Sequence, residues 1–125
     1  MIRARTWRLG VVGATGLFAP TYLHAAMDLD ELELKAIAAR REGPLAAVAA
    51  EYNDPATHTN WQELVERDDI DVVAIVTSNA THHDIAIAAL AAGKHVICEK
   101  PLANTAEQAF AMTEAASVSG KGHVV

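Results

Sequence analysis

The feature that most constrains the fold is an uninterrupted apolar run, Val72-Val73-Ala74-Ile75-Val76, which follows Asp71. β-Branched residues that continue without alternating polar positions are typical of a strand that is buried on both faces. Strands of this kind occur in parallel sheets that are covered by helices on both sides. We therefore expect the rest of the chain to alternate strands with helices.

That alternation extends along the whole chain. The pattern predicts strands at 7–12, 33–39, a short one around His58, 71–76, 94–98 and from Gly122 onward, and helices at 16–27, 44–52, 61–67, 81–92 and 105–118. Thr81 with Asp84 forms a capping pattern for the fourth helix, and Asn104 is the expected cap of the fifth. Six strands joined in this way predict a doubly wound parallel α/β sheet with the strand order 3-2-1-4-5-6.

Composition limits the partners and the compartment. The chain has 125 residues, which fits one domain, and its net charge of −6 argues against nucleic acid or an anionic membrane as a partner. Its one cysteine cannot form an internal disulfide, which favours a cytoplasmic protein. Because its strand neighbours are apolar, Cys98 is interpreted as a core residue rather than a nucleophile.

The amino-terminal region imitates a targeting segment. A basic start, "MIRARTWR", precedes the stretch 9–27, which contains no Asp, Glu, Lys or Arg. A signal peptide or a membrane span would have these properties. The stretch also contains three glycines at a fixed spacing, a proline and a histidine, and the predicted sheet needs its first strand. We therefore interpret it as strand, loop and helix.

A glycine loop follows the first predicted strand. Gly13, Gly16 and Ala19 form a G-x-x-G-x-x-A pattern, whereas the usual dinucleotide fingerprint would have its second glycine at Thr15. Gly13 would permit the tight turn, Gly16 would let the backbone approach a pyrophosphate, and Ala19 would let the helix lie close to the sheet. The loop residues predicted to bind phosphate are Gly13, Ala14, Thr15, Gly16 and Leu17. The alternative is a purely structural glycine turn.

Two arginines follow the second predicted strand. An acid that binds the ribose hydroxyls of NAD is usual about 20 residues after the glycine loop, but here the strand is followed by Arg40 and Arg41. A guanidinium matches a 2′-phosphate in charge and in the geometry of its donors. The sequence therefore favours NADP, with NAD as the second choice. The alternative is that both arginines are solvated at the start of the next helix.

The second half of the chain resembles the nucleotide-binding half of the Gfo/Idh/MocA oxidoreductases. The resemblance rests on the polar turn Thr77-Ser78-Asn79, on His82, on "AGKHV" at 92–96 and on "EKP" at 99–101. It implies a Rossmann domain that binds a nicotinamide dinucleotide. Ser78 stands where the family often has a proline, and Thr15 where it has a glycine.

The resemblance also implies roles for individual residues. Lys100 would be the catalytic residue, beside both the nicotinamide and the substrate hydroxyl, because a partly desolvated cation stabilises a developing alkoxide. Glu99, with Ser78 and Asn79, would line the nicotinamide ribose, and Thr77, His82 and Lys100 would also contact the cofactor. His82 and His83 do not make a metal pair, because adjacent helical residues point in different directions.

The resemblance implies the domain of a dehydrogenase. Hydride would pass between the nicotinamide cofactor and a sugar, polyol or related hydroxyl compound. We expect residues 1–125 to be the dinucleotide-binding domain, with the family's second α/β domain, its substrate contacts and most of its oligomer interface absent from this chain. The 125 residues alone would then be inactive. The alternatives are a stand-alone module that binds NAD(P) without turnover and a relic that binds nothing.

Overall fold

The computed structural model describes residues 5–124, apart from the side chain of His123. Its six strands form one parallel sheet in the order β3-β2-β1-β4-β5-β6. The strands are β1 Trp7–Val12, β2 Leu32–Ala38, β3 Ala56–His58, β4 Val72–Ile75, β5 His95–Cys98 and the two-residue β6 His123–Val124. Val125, part of the predicted last strand, lies outside the described residues. The predicted doubly wound sheet is confirmed.

Five helices connect the strands: α1 Ala19–Asp28, α2 Glu42–Glu51, α3 Trp61–Val65, α4 Asn79–Ala91 and α5 Ala106–Ser119. The first begins three residues later than the predicted start at Gly16. Residues 13–18 instead form a succession of turns, in which Gly16 N–H donates to the carbonyl of Gly13 and Ala19 N–H donates to that of Gly16. No helix within residues 5–124 is long and apolar enough to cross a membrane.

Two predicted helix caps are wrong by small shifts. The fourth helix begins at Asn79 after Ser78, so Thr81 lies inside its first turn and not at its cap. The fifth helix is capped by Thr105, whose hydroxyl accepts from Gln108 N–H at 3.1 Å, and not by Asn104. Thr105 has the extended backbone, φ −133° and ψ 155°, that a capping residue needs. Gly120 ends this helix with φ +70°, a left-handed conformation that favours glycine.

The core has two halves, one on each face of the sheet. Val73 and Ile75 of β4 pack on one face with α3, α4 and α5 residues such as Leu64, while Val72 and Ala74 face the other half. The second half includes Leu23 of α1 and Leu45 of α2. All four β4 side chains are buried. Continuous hydrophobicity in this strand is therefore required by two apolar layers.

A close contact on the first of these faces accounts for Gly10. A Cβ at this position in β1 would lie 2.7 Å from Leu64 Cδ2. The missing side chain lets the short helix α3 pack directly on the sheet. Although Gly10 shares its spacing with the glycine loop, its role is packing.

An ion pair joins the amino-terminal ends of the two central strands, β1 and β4. The Asp71 carboxylate, just before β4, accepts from Arg8 N–H at 2.9 Å, from Arg8 Nε at 3.0 Å and from Arg8 Nη2 at 2.8 Å. Hydrogen bonds from Arg8 hold the pKa of Asp71 well below its usual range. Arg8 belongs to β1, so the pair links the two central strands.

We predict that Asp71→Asn destabilises the fold at neutral pH and makes its stability less sensitive to acid. A depressed folded-state pKa adds stability above the unfolded pKa, about 3.9, and this stability is lost as the pH falls toward the folded-state value. Wild type should therefore have the higher Tm at pH 7, and the difference should shrink below about pH 4. Thermal unfolding across this range checks it. Asp68→Asn is the control, because Asp68 is exposed and lies three residues before Asp71 in the turn between α3 and β4. A constant difference at every pH would contradict the role of the charge.

Candidate functional site

A cleft opens at the carboxyl ends of β1 and β4, the two central strands of the sheet. β1 is followed by α1 and β4 by α4, and these helices pack on opposite faces. Ligands of doubly wound sheets bind at this kind of switch point. The cleft has a volume of about 340 Å³. Its walls include Val12, Gly13, Thr15, Gly16, Ala39, Arg40, Arg41, Thr59, Trp61, Thr77, Ser78 and Thr81.

Gly13 forms the floor of the cleft where the two central strands end. Its φ is +92°, and a Cβ built on it would lie 2.8 Å from both the carbonyl carbon and the oxygen of Val76. A side chain is excluded by conformation and by space. The backbone of the loop can therefore lie against the end of β4 and leave room above it for a ligand.

Three backbone amides of the glycine loop have no acceptor among the described residues. Within residues 5–124, the backbone N–H groups of Thr15, Leu17 and Phe18 donate to no protein acceptor. All three residues are exposed. Amides that precede a helix in this way form an anion site, and the loop therefore fits the pyrophosphate of a dinucleotide.

Arg40 and Arg41 follow β2 and lie at one end of the same cleft. Both are exposed, and within residues 5–124 neither takes part in an ion pair. The strand that carries them is fixed to the glycine loop, because the Ala38 carbonyl accepts from Gly13 N–H at 2.9 Å and from Ala14 N–H at 3.0 Å. Two exposed guanidinium groups thus follow a strand that is hydrogen-bonded to the glycine loop.

The polar turn after β4 forms the facing wall. Thr77 and Ser78 line the cleft, and the Thr81 hydroxyl lies 2.6 Å from Thr77 Oγ1 and 2.8 Å from the Ser78 carbonyl. Asn79 begins α4 with an exposed side chain and is not part of the wall. The turn is therefore held by its own helix and presents hydroxyl groups to the cleft.

The "EKP" segment follows β5, beside this turn. Glu99 N–H donates to the Ile75 carbonyl at 3.0 Å, and the Tyr22 hydroxyl donates to Glu99 Oε1 at 3.0 Å. Burial and the neighbouring Glu99 raise the pKa of Tyr22 to about 12, so the phenol remains a donor. Lys100 is exposed, and the Lys100–Pro101 peptide bond is cis.

Some of the predicted site residues line the cleft, and the others lie outside its walls. The structure gathers Gly13, Thr15, Gly16, Arg40, Arg41, Thr77 and Ser78 around one cleft. Ala14 is buried beneath the loop, Leu17 is the exposed tip of the loop, and Glu99 and Lys100 lie on the adjacent segment. His82 is fully buried, with both ring nitrogens near backbone carbonyls, so its side chain does not face the cleft.

Four polar or aromatic residues of the site were not predicted. Thr59, Trp61 and Thr81 line the cleft, and Tyr22 binds Glu99. Thr59 and Trp61 follow β3 directly, so the general rule that ligands lie at the carboxyl ends of strands could have identified them. Nothing in the sequence connects Tyr22 to Glu99, because that contact depends on how α1 packs.

Cys98 and the histidines of the described residues form no metal-binding cluster. Cys98 is fully buried, and burial, with Glu99 nearby, raises the pKa of its thiol to about 11. Its predicted place in the core is confirmed. Within residues 5–124, no cluster of three or more His, Cys, Asp or Glu side chains could hold a metal ion.

Comparison with known proteins identifies the domain. Residues 7–125 match the family described as "Oxidoreductase family, NAD-binding Rossmann fold", the Gfo/Idh/MocA family. Levoglucosan dehydrogenase of Pseudarthrobacter phenanthrenivorans is 41% identical over 95 residues, which cover 75% of this chain and 24% of that protein.

Solved structures agree. Biliverdin reductase from Synechocystis, in complex with biliverdin and NADP⁺, superimposes with a TM-score of 0.88 at 35% identity, over 94% of this chain and 37% of that one. The WlbA dehydrogenase of Chromobacterium violaceum, in complex with NADH and UDP-GlcNAcA, gives a TM-score of 0.91 at 28% identity, over 99% and 36%. The chain thus spans about a quarter to a third of these relatives. It belongs to the Gfo/Idh/MocA oxidoreductase family and contains the family's NAD-binding Rossmann domain.

We predict that Gly13→Val abolishes the binding of both NADH and NADPH. The new side chain would collide with the backbone of Val76 and fill the space above the loop. Fluorescence titration with each dinucleotide checks this, and thermal unfolding shows whether the variant remains folded. Gly43→Ala is the matched control, because a Cβ there has no neighbour within 4 Å. Unchanged affinity in the Gly13 variant would exclude the loop from the site.

Proposed function

We propose that this chain is the cofactor-binding domain of an NAD(P)-dependent oxidoreductase that transfers hydride between a nicotinamide and a hydroxyl group. The observation that carries the proposal is the convergence, on one cleft at the switch point of the sheet, of the glycine loop, two exposed arginines and a hydroxyl-lined turn. The residues that accompany the domain in its family relatives, about two thirds of their length or more, would supply the substrate-binding half.

The residues present fit a dinucleotide from one end to the other. The loop amides at Thr15 and Leu17 would hold the pyrophosphate, Arg40 and Arg41 the adenosine end, and Thr77 and Ser78 the nicotinamide half. Asn79 and Glu99, which follow the carboxyl ends of β4 and β5, would lie beside that half. The nicotinamide, when bound, accepts or supplies the hydride.

Lys100 is the proposed catalytic residue. It follows β5, directly next to β4, at the edge of the sheet where the cleft opens. A lysine ammonium there would stabilise the negative charge that develops on the substrate oxygen and would exchange the hydroxyl proton. The adjacent Glu99 is held by Tyr22 and the β4 backbone, which restricts the segment that carries the lysine.

The substrate is proposed to be a sugar, polyol or related hydroxyl compound. Two relatives, levoglucosan dehydrogenase and a dehydrogenase bound to UDP-GlcNAcA, support this class. Biliverdin reductase shows that a similar domain also occurs in an enzyme with a different type of substrate. Cys98, the one cysteine, is buried as a thiol, which supports the expected cytoplasmic location. Oligomers would form through the substrate-binding half.

The cofactor preference is proposed to be NADP. Arg40 and Arg41 offer exposed guanidinium groups where NAD-specific domains have an acid, and the first acid after them, Glu42, is already in α2. A 2′-phosphate would bind such groups through charge-assisted hydrogen bonds.

We predict that NADPH binds more tightly than NADH and that Arg40→Ala removes this difference. The loss of a charge-assisted hydrogen bond should weaken NADPH binding about tenfold or more. NADH has no 2′-phosphate, so its affinity in the same variant is the internal control. Titration by energy transfer from protein to nicotinamide measures both. Equal affinities in wild type, unchanged in the variant, would mean that the arginines are only surface charge.

We predict that Lys100→Met, in a protein that joins this domain to the substrate-binding half, lowers kcat by about two orders of magnitude. Cofactor affinity should change little, because the lysine serves the reaction more than binding. Lys121→Met is the matched control, since Lys121 lies before the amino-terminal end of β6, away from the carboxyl ends of the strands where the cleft opens.

The isolated 125-residue chain should bind cofactor and show no dehydrogenase activity, because Ser78 and Lys100, at the proposed nicotinamide end, are exposed to water. Turnover by this chain alone would overturn the two-domain proposal and favour an enzyme complete in itself. Normal turnover after Lys100→Met would leave "EKP" as a structural turn.

A further inference from the structure

His82 has an unusual environment for a histidine beside a cofactor cleft. It lies on α4 with no exposed surface. Its Nδ1 is 2.9 Å from the Pro101 carbonyl oxygen, and its Nε2 is 3.1 Å from the Thr77 carbonyl oxygen. Both partners are acceptors, so a ring nitrogen that carries a hydrogen donates to its carbonyl, and the Pro101 contact is the shorter of the two. A neutral imidazole has one N–H and can satisfy one carbonyl at a time, whereas an imidazolium satisfies both.

The two carbonyls belong to the two segments that the proposed function uses. Thr77 begins the turn that lines the cleft after β4, and Pro101 directly follows Lys100 after β5. The turn has a second restraint in the Thr81 hydroxyl. On the other side, Lys100 lies between Glu99, which is fixed by Ile75 and Tyr22, and Pro101, whose carbonyl contacts His82.

We infer that His82 is a positioning residue, which sets the location of Lys100 relative to the cofactor wall by donating to the Pro101 carbonyl. This role rests on the proposed function of Lys100 and differs from direct cofactor contact, because the ring is enclosed. A donor in the interior is effective here, since an unpaired buried carbonyl is costly and the segment cannot shift without losing its partner. Displacements of about 1 Å in a catalytic group can cost about 100-fold in rate.

Two substitutions separate the two contacts. An Asn side chain places its amide nitrogen near the position of Nδ1, so His82→Asn keeps a donor for Pro101. A Gln side chain places its amide nitrogen near the position of Nε2, so His82→Gln keeps a donor for Thr77. The two amides have similar size and polarity, and a general loss of packing would affect both. The matched control is His83→Gln, because the His83 ring contacts the Asp84 carboxylate instead of a backbone segment.

The first measurement is backbone NMR of the 125-residue chain. We expect His82→Gln to shift or broaden the amide signals of Lys100 and Leu102, and His82→Asn to shift those of Thr77 and Ser78. His83→Gln should leave both segments unchanged. The inference is overturned if the two His82 variants disturb both segments alike, if neither does, or if the control produces the same changes.

The second measurement is turnover in a protein that includes the substrate-binding half. His82→Gln should lower kcat about tenfold or more, with the Kd for the cofactor within about threefold, and His82→Asn should keep most of the rate. If His82 acts through Lys100, His82→Gln should cause no further loss in a Lys100→Met background. A further loss of tenfold there would overturn the inference. If the NMR pattern holds while Lys100→Met has normal turnover, His82 still positions the segment and only the proposed chemistry of Lys100 fails.

Discussion

The contact between the ends of the two central strands determines most of this structure. β1 and β4 run side by side, and Gly13, which follows β1, has room for no Cβ, because one built there would lie 2.8 Å from the Val76 carbonyl group. A side chain at Gly13 would force the strands apart or close the cleft. α1 then packs on one face of the sheet and α4 on the other. The close contact between Gly13 and Val76 therefore lies between the two halves of the core, where the cleft opens.

The site is built from backbone groups that hold several segments in register. The Ala38 carbonyl joins β2 to the glycine loop, the Ile75 carbonyl joins β4 to Glu99, and the His82 ring joins two segments through their carbonyls. Side chains that would touch a ligand, such as Arg40 and Thr77, are exposed or half-buried at the ends of these segments. A rigid frame with accessible side chains suits a domain that must hold a long cofactor in one position.

Much of the fold was predictable because buried strands and their turns leave local signals. β1 matches its predicted bounds, and the apolar run identified β4 to within one residue at each end. Errors occurred at helix starts, where the choice of cap depends on backbone conformation. Asn104 and Thr105 are both acceptable caps by residue type, and only the extended backbone of Thr105 decides between them.

The site was predictable in part, for a related reason. Gly13 and Arg40 follow strands whose ends the sequence marks, so their convergence followed from the parallel topology. Tyr22 reaches the site through the packing of α1, which no local pattern records. His82 was recognised by its position in a motif, but its contact with Pro101 requires knowing that the ends of β4 and β5 meet beneath α4.

The attachment of Arg40 and Arg41 has an evolutionary consequence. Their backbone is anchored through Ala38 and through Ala39, whose N–H donates to the His58 carbonyl, while their exposed side chains make no ion pair within residues 5–124. Substitution of these two side chains would therefore leave the core and the glycine loop intact. If the arginines select the cofactor as proposed, a lineage that carries this domain can change between NADP and NAD by a few surface substitutions, and its choice of electron donor can drift independently of its architecture.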